Sequence, residues 1–130
     1  MGTRQSCGSV LVVEDDDTAR RLLAKIVEIA GYECAQAADG AQAQELIREH
    51  EFDLVITDLH MPVLGGKDLI RWLRNRDKDV PIVIASGYLA GQFVQDMAEF
   101  KLFAALAKPF LVRDLCEVMH LALNPLRSST

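Results

Sequence analysis

Four places along the chain carry residue types that can do chemistry together: the acids Glu14, Asp15 and Asp16, the aspartate Asp58, the hydroxyl of Ser86, and Lys108 followed by Pro109. Several carboxylates brought to one point repel, and a cation that neutralises them stabilises the cluster. Oxygen ligands suit a hard ion such as Mg2+ rather than zinc. A divalent ion so placed can hold a phosphoryl group against a carboxylate and neutralise charge on its equatorial oxygens. Lys108 adds a second positive charge and Ser86 a neutral donor, so the set suits an acidic nucleophile attacking phosphorus. Taken singly, each residue has a plainer reading. Asp16 or Asp17 stands where a helix N-cap is expected, and Asp58 precedes a turn-forming stretch with Pro62, Gly65 and Gly66. Ser-Gly and Lys-Pro pairs are common. What raises the set above those readings is where each member falls relative to the secondary structure.

The elements that position these residues follow from hydrophobic periodicity. Ser9 to Val13 is a short β-branched run ending at the acids, after which Leu22, Leu23, Ile26, Val27 and Ala30 recur at helical spacing up to Gly31, a candidate C-terminal cap. The alternation repeats with a strand over Glu33 to Ala37, a helix over Ala41 to His50, an apolar strand over Asp53 to Thr57 and a helix marked by Leu69, Ile70 and Leu73. Pro81 to Ala85 is the next apolar run. A weaker helical stretch from Gly91 to Glu99, a run over Leu102 to Leu106, and a helix carrying Val112, Leu115, Val118, Met119 and Ala122 complete the pattern.

About five βα units result, and strands that read as unbroken apolar runs are buried on both faces, which requires an α/β fold with helices on each side of a parallel sheet. Ligands of such sheets bind beyond the carboxyl ends of the strands. The acids follow the first strand, Asp58 the third, Ser86 the fourth and Lys108 the fifth. All are therefore predicted to converge on one rim.

Composition limits the alternatives. At 130 residues, half of them hydrophobic, the chain fits one domain, with residues 9–123 as its core, Met1 to Gly8 as a leader and Asn124 to Thr130 as a tail. A net charge of -5 repels nucleic acid phosphates and anionic lipid, so direct nucleic acid binding is not expected. Cys7, Cys34 and Cys116 form no CxxC pair, which indicates neither a disulfide framework nor a zinc site and fits a reduced, cytoplasmic setting. No apolar stretch approaches the roughly 18 residues that cross a bilayer.

Three stretches carry a family resemblance. Val10-Leu-Val-Val-Glu-Asp-Asp, Phe52-Asp-Leu-Val-Ile-Thr-Asp-Leu-His-Met-Pro-Val-Leu-Gly-Gly and Lys108-Pro-Phe together resemble the acidic, phosphoacceptor and lysine motifs of the receiver domain of two-component response regulators. The resemblance covers nearly the whole chain. It implies a doubly wound, flavodoxin-like sheet of order 2-1-3-4-5, a signalling phosphoacceptor rather than an enzyme, and a cis bond between Lys108 and Pro109. By the same resemblance Asp58 takes a phosphoryl group from a histidine kinase or phosphotransfer protein, with weak intrinsic phosphorylation and dephosphorylation. Asp15, Asp58 and the backbone carbonyl of His60 bind Mg2+, Glu14 acts through water, Ser86 hydrogen-bonds the phosphoryl group, and Lys108 pairs with one of its oxygens. A downstream protein is met through the face formed by residues 91–123.

The chain departs from the family pattern at three positions. The aromatic ring three residues before the lysine, which swings with the Ser86 loop in the family, is here Ala105, with Phe103 or Tyr88 as neighbouring substitutes. His60 and Tyr88 occupy the two positions on which the lifetime of the phosphorylated state depends, and the bulk of Tyr88 is expected to lengthen it by hindering the hydrolytic water. Two other readings compete with this one. A pseudo-receiver would keep the fold as a binding module without phosphorylation, against which the complete set Asp15, Asp58, Ser86 and Lys108 argues. A haloacid-dehalogenase-like phosphatase places a second aspartate two residues beyond the nucleophile, where this chain has His60.

Overall fold

Strands β1 (Ser9–Val13), β2 (Glu33–Ala37), β3 (Leu54–Thr57), β4 (Ile82–Ser86) and β5 (Ala104–Ala107) form one parallel sheet in the order β2-β1-β3-β4-β5. This computed structural model describes residues 8–59, 65–77, 79–87 and 98–124. Successive side chains on a strand point to opposite faces. Accordingly Val10, Val12, Leu54, Ile56, Val83 and Ala85 enter one apolar layer, while Leu11, Val13, Val55, Ile82 and Ile84 enter the other.

Helix α1 (Asp17–Ile29) and the C-terminal helix Val112–Leu123 cover the first layer through Leu23, Ile26, Val27, Leu115, Met119 and Ala122. Helices α2 (Gly40–Glu49) and α3 (Gly66–Arg76) cover the second through Ala43, Leu69, Ile70 and Leu73. Burial on both faces holds for the central strands β1, β3 and β4. The outer strands β2 and β5 are only half-buried, because each has a single neighbour and one open edge.

Local signals end the elements where they should. The Asp16 side chain accepts from the Ala19 N–H at 2.8 Å and so caps α1, and Asp39 does the same for α2 through Gln42. Gly31, one residue past the cap of α1, takes φ +103°, the left-handed turn a glycine makes without strain. The fifth strand begins at Ala104 rather than Leu102, since Leu102 is buried beneath the sheet without joining the ladder. Of the helix expected over 91–99, residues 91–97 lie outside the described residues, and 98–100 are helical.

At the edge of the molecule opposite the strand ends that carry the acids, Arg74 binds several segments together. Its Nε donates to the Phe100 carbonyl at 2.7 Å, Nη1 to Val80 at 2.8 Å and Nη2 to Lys101 at 3.0 Å. At the start of β1, Gly8 accepts from the Glu33 N–H, and a Cβ added to it would lie 3.2 Å from Leu123. The Gly8 backbone is thus bonded to the start of β2. Asn124 caps the C-terminal helix by donating from Nδ2 to the His120 carbonyl at 3.0 Å. Among the described residues no helix is long and apolar enough to cross a membrane.

Cys34 on β2 packs against the first layer, and burial, with the negative charge of Glu28 added, pushes its thiol from 9.0 up to about 12. The unfolded thiol ionises first. The stability it contributes is therefore complete below pH 9 and is lost as the pH climbs toward 12. At pH 8 iodoacetamide is expected to alkylate native Cys34 about a thousandfold more slowly than the urea-unfolded chain, following the thiolate fraction. Equal rates by mass spectrometry would contradict the burial argument.

Candidate functional site

The parallel register brings the ends of the strands level. Val13 pairs with Thr57 and Ser86 with Ala107, so the residues that follow them emerge side by side on one rim. The backbone continues to bond beyond the strands: Asp58 N–H donates to the Val13 carbonyl at 3.2 Å, Glu14 N–H to Ala37 at 3.0 Å, and Lys108 N–H to Ser86 at 2.8 Å. Each functional residue is thus anchored by its main chain before its side chain makes any contact.

Glu14, Asp15 and Asp58 each place a carboxylate oxygen within 4.8 Å of the others. Glu14 is 2 % exposed and Asp58 9 %, while Asp15 faces solvent. The Lys108 Nζ donates to Glu14 Oε1 and, at 3.3 Å, to Asp58 Oδ2. The other Glu14 oxygen accepts from the Asp16 N–H at 3.1 Å. Three carboxylates therefore share the neighbourhood of one ammonium.

The electrostatics follow from that count. Burial pushes the Glu14 carboxyl above the ordinary carboxylate value, with the Lys108 and Asp16 hydrogen bonds pulling the other way. Burial also opposes the Lys108 charge, but Glu14 and Asp58 together outweigh it and hold the ammonium above the ordinary lysine value. Lys108 is accordingly a fixed positive charge aimed at Asp58. The pocket's oxygens are hard donors with more negative charge than one lysine balances, which is the chemistry a divalent hard cation requires, so the residues present fit Mg2+.

The rim unites Glu14, Asp15, Asp58 and Lys108, with Ser86 buried at the end of β4 beside the Lys108 backbone. The bond between Lys108 and Pro109 is cis. His60 and Tyr88 lie outside the described residues. Ala105 pairs with Ile84 and packs against the α2 and α3 layer. Phe103, one of the suggested replacements for the missing ring, precedes β5 at the end of the strand opposite Lys108 and is exposed there, so it does not stand in for Ala105 at the site.

Two features escaped the sequence reading. One is the direct pairing of Lys108 with Glu14, which depends on a contact between residues far apart in the chain. The other is Arg20, whose guanidinium reaches the backbone of the acid loop. Its spacing of three from Asp17 was a visible signal for an ion pair, though not for the carbonyl contact.

Residues 10–120 match the model of the response regulator receiver domain family. The chain is 37% identical over 106 residues to the response regulator receiver protein CpdR of Brucella abortus, covering 82% of this chain and 88% of CpdR. It is 34% identical over 109 residues to the sensor kinase CckA of the same organism, covering 82% of this chain and 12% of the kinase. The structure of the chemotaxis protein CheY4 of Vibrio cholerae superposes with a TM-score of 0.84 at 26% identity, covering 92% of this chain and 99% of that one.

Proposed function

The chain belongs to the response regulator receiver family of two-component signalling proteins, and from that premise we propose that Asp58 is the carboxylate that accepts the phosphoryl group. The observation that carries this assignment is the convergence of three carboxylates within 4.8 Å, two of them bonded to Lys108, at the carboxyl ends of the strands. The receiver unit comprises residues 9–123.

In the proposed reaction a carboxylate oxygen of Asp58 attacks phosphorus, an O–P bond forms, and the bond from phosphorus to the donor breaks with its electron pair leaving on the donor. Phosphohistidine of a histidine kinase or phosphotransfer protein is the donor, and small acyl phosphates serve weakly. Asp15, Asp58 and the His60 backbone carbonyl would hold Mg2+, with Glu14 acting through water, and the ion would supply neutralising charge for the phosphoryl oxygens. Lys108, already directed at Asp58, pairs with one phosphoryl oxygen, and Ser86 donates a hydrogen bond to another.

The acyl phosphate hydrolyses slowly on its own, and Tyr88 and His60 set that rate. Tyr88→Ala is expected to shorten the lifetime of the phosphorylated protein; an unchanged decay, followed by mass spectrometry, would remove Tyr88 from this role. A downstream protein docks on the 91–123 face, whose described part exposes Phe103, Leu111, Val112 and Leu121. The setting is cytoplasmic, supported by unpaired cysteines Cys34 and Cys116 among the described residues.

The reading is tested by incubating the protein with acetyl phosphate and measuring its mass. One added phosphoryl group per chain is expected with Mg2+ and none with EDTA. Failure to take up the group in Mg2+ would overturn the assignment.

A further inference from the structure

We propose that Arg20 is a positioning residue for the metal-binding loop: by holding the carbonyl between Glu14 and Asp15, its guanidinium sets the direction in which Asp15 presents its carboxylate. The proposal rests on the reading of Asp15 and Asp58 as Mg2+ ligands, with Glu14 acting through water.

Arg20 lies in the first turns of α1, with its side chain only 13% exposed. Its Nη1 donates to the Glu14 carbonyl at 3.1 Å, Nε to Gln36 Oε1 on β2 at 3.3 Å, and Nη2 to Asp17 Oδ1 at 2.7 Å. A guanidinium is a rigid fork, so satisfying three acceptors in different directions fixes its own plane. That fixed plane then holds the Glu14 carbonyl.

The consequence passes through the peptide bond. The Glu14 carbonyl belongs to the planar unit joining Glu14 to Asp15, and holding that plane restrains the Glu14 ψ and the Asp15 φ together. These two torsions decide where the Asp15 side chain starts. On the near side the Glu14 N–H is bonded to Ala37, and on the far side the Asp16 N–H is bonded to the Glu14 carboxylate, with Asp16 itself capping the helix. Asp15 faces solvent, and the backbone on either side of it directs it toward the other two carboxylates.

A plain clamp between α1 and β2 would also account for the Gln36 contact, and charge separates the two roles. Removing a cation near an acidic site strengthens Mg2+ binding by Coulomb attraction alone. A loss of affinity on removing Arg20 therefore reports lost geometry. Substitution of groups that orient metal ligands lowers affinity by roughly 10–100-fold.

The test is calorimetric titration of Mg2+ into the wild type, R20A, R20K, Q36A and D17A, each also unfolded in urea. R20A is expected to raise the Mg2+ Kd roughly tenfold or more. R20K, which can reach the carbonyl without satisfying all three acceptors, should recover part of that loss. Q36A and D17A, which each leave the guanidinium two of its three acceptors, should raise the Kd less than R20A does. An R20A Kd within threefold of wild type overturns the positioning role, and so does an affinity gain. If R20A does not fold, R20K decides: unchanged Mg2+ affinity in that variant overturns the proposal. A wild type that binds no Mg2+ removes the metal reading itself, and the proposal with it.

Discussion

Asp58→Asn is expected to abolish uptake of a phosphoryl group from acetyl phosphate, a loss of more than about a thousandfold, the scale on which removing a nucleophile acts. The amide keeps the shape of the side chain and can still meet Lys108, but its oxygen no longer carries the charge that attacks phosphorus. The fold should survive the change. Asp58 is one of three carboxylates within 4.8 Å, so deleting its charge relieves repulsion as well as removing an ion pair, and Glu14 remains bonded to the ammonium. The urea midpoint should therefore stay level or rise, while Mg2+ affinity falls because one ligand charge is gone. Mass spectrometry of the variant after incubation decides the matter: a retained label would place the acceptor elsewhere.

Ile56→Ala should destabilise the protein by about 2–5 kcal/mol, the range for truncating a fully buried aliphatic side chain. Ile56 is 0% exposed on β3, the middle strand of the sheet, and it projects into the layer formed with Leu23, Ile26, Val27, Leu115 and Met119. That layer is closed by two helices and by strands on both sides, so the space left by the missing atoms has little means of collapsing. With domains stable by about 5–15 kcal/mol, such a loss is a large share of the total. Ile29, three quarters exposed at the end of α1, provides the contrast, and Ile29→Ala should change stability by less than about 0.5 kcal/mol. Urea unfolding of both variants checks the pair. A loss below about 1 kcal/mol for Ile56→Ala would contradict the packing described.

The sheet and most of the site were legible in the sequence because their signals are local. Val10 to Val13 and Leu54 to Thr57 are apolar on both faces and end at acids, and a buried parallel strand has no other way to look. The edges were less clear for the complementary reason. Leu102 is apolar because it is buried, not because it is paired, so an apolar run extended β5 two residues too early. Contacts set by the fold were not legible at all. Nothing in the neighbourhood of Lys108 announces Glu14 as its partner, and the hold of Arg20 on a backbone carbonyl leaves no mark on residue types. Ala105 was legible as a departure from the family, whereas the elimination of Phe103 needed its place at the far end of β5.

Gly8 and Leu123 meet at the edge of the sheet remote from Asp58. Entry to and exit from the folded unit thus share one doorway, at the end of the sheet away from the acids. A unit built this way can be spliced into a longer polypeptide without disturbing any strand pairing, as modular exchange between proteins demands. By the same geometry, a short linker from Leu123 back to Gly8 would close the chain on itself and allow it to be reopened at a surface loop with every strand neighbour retained.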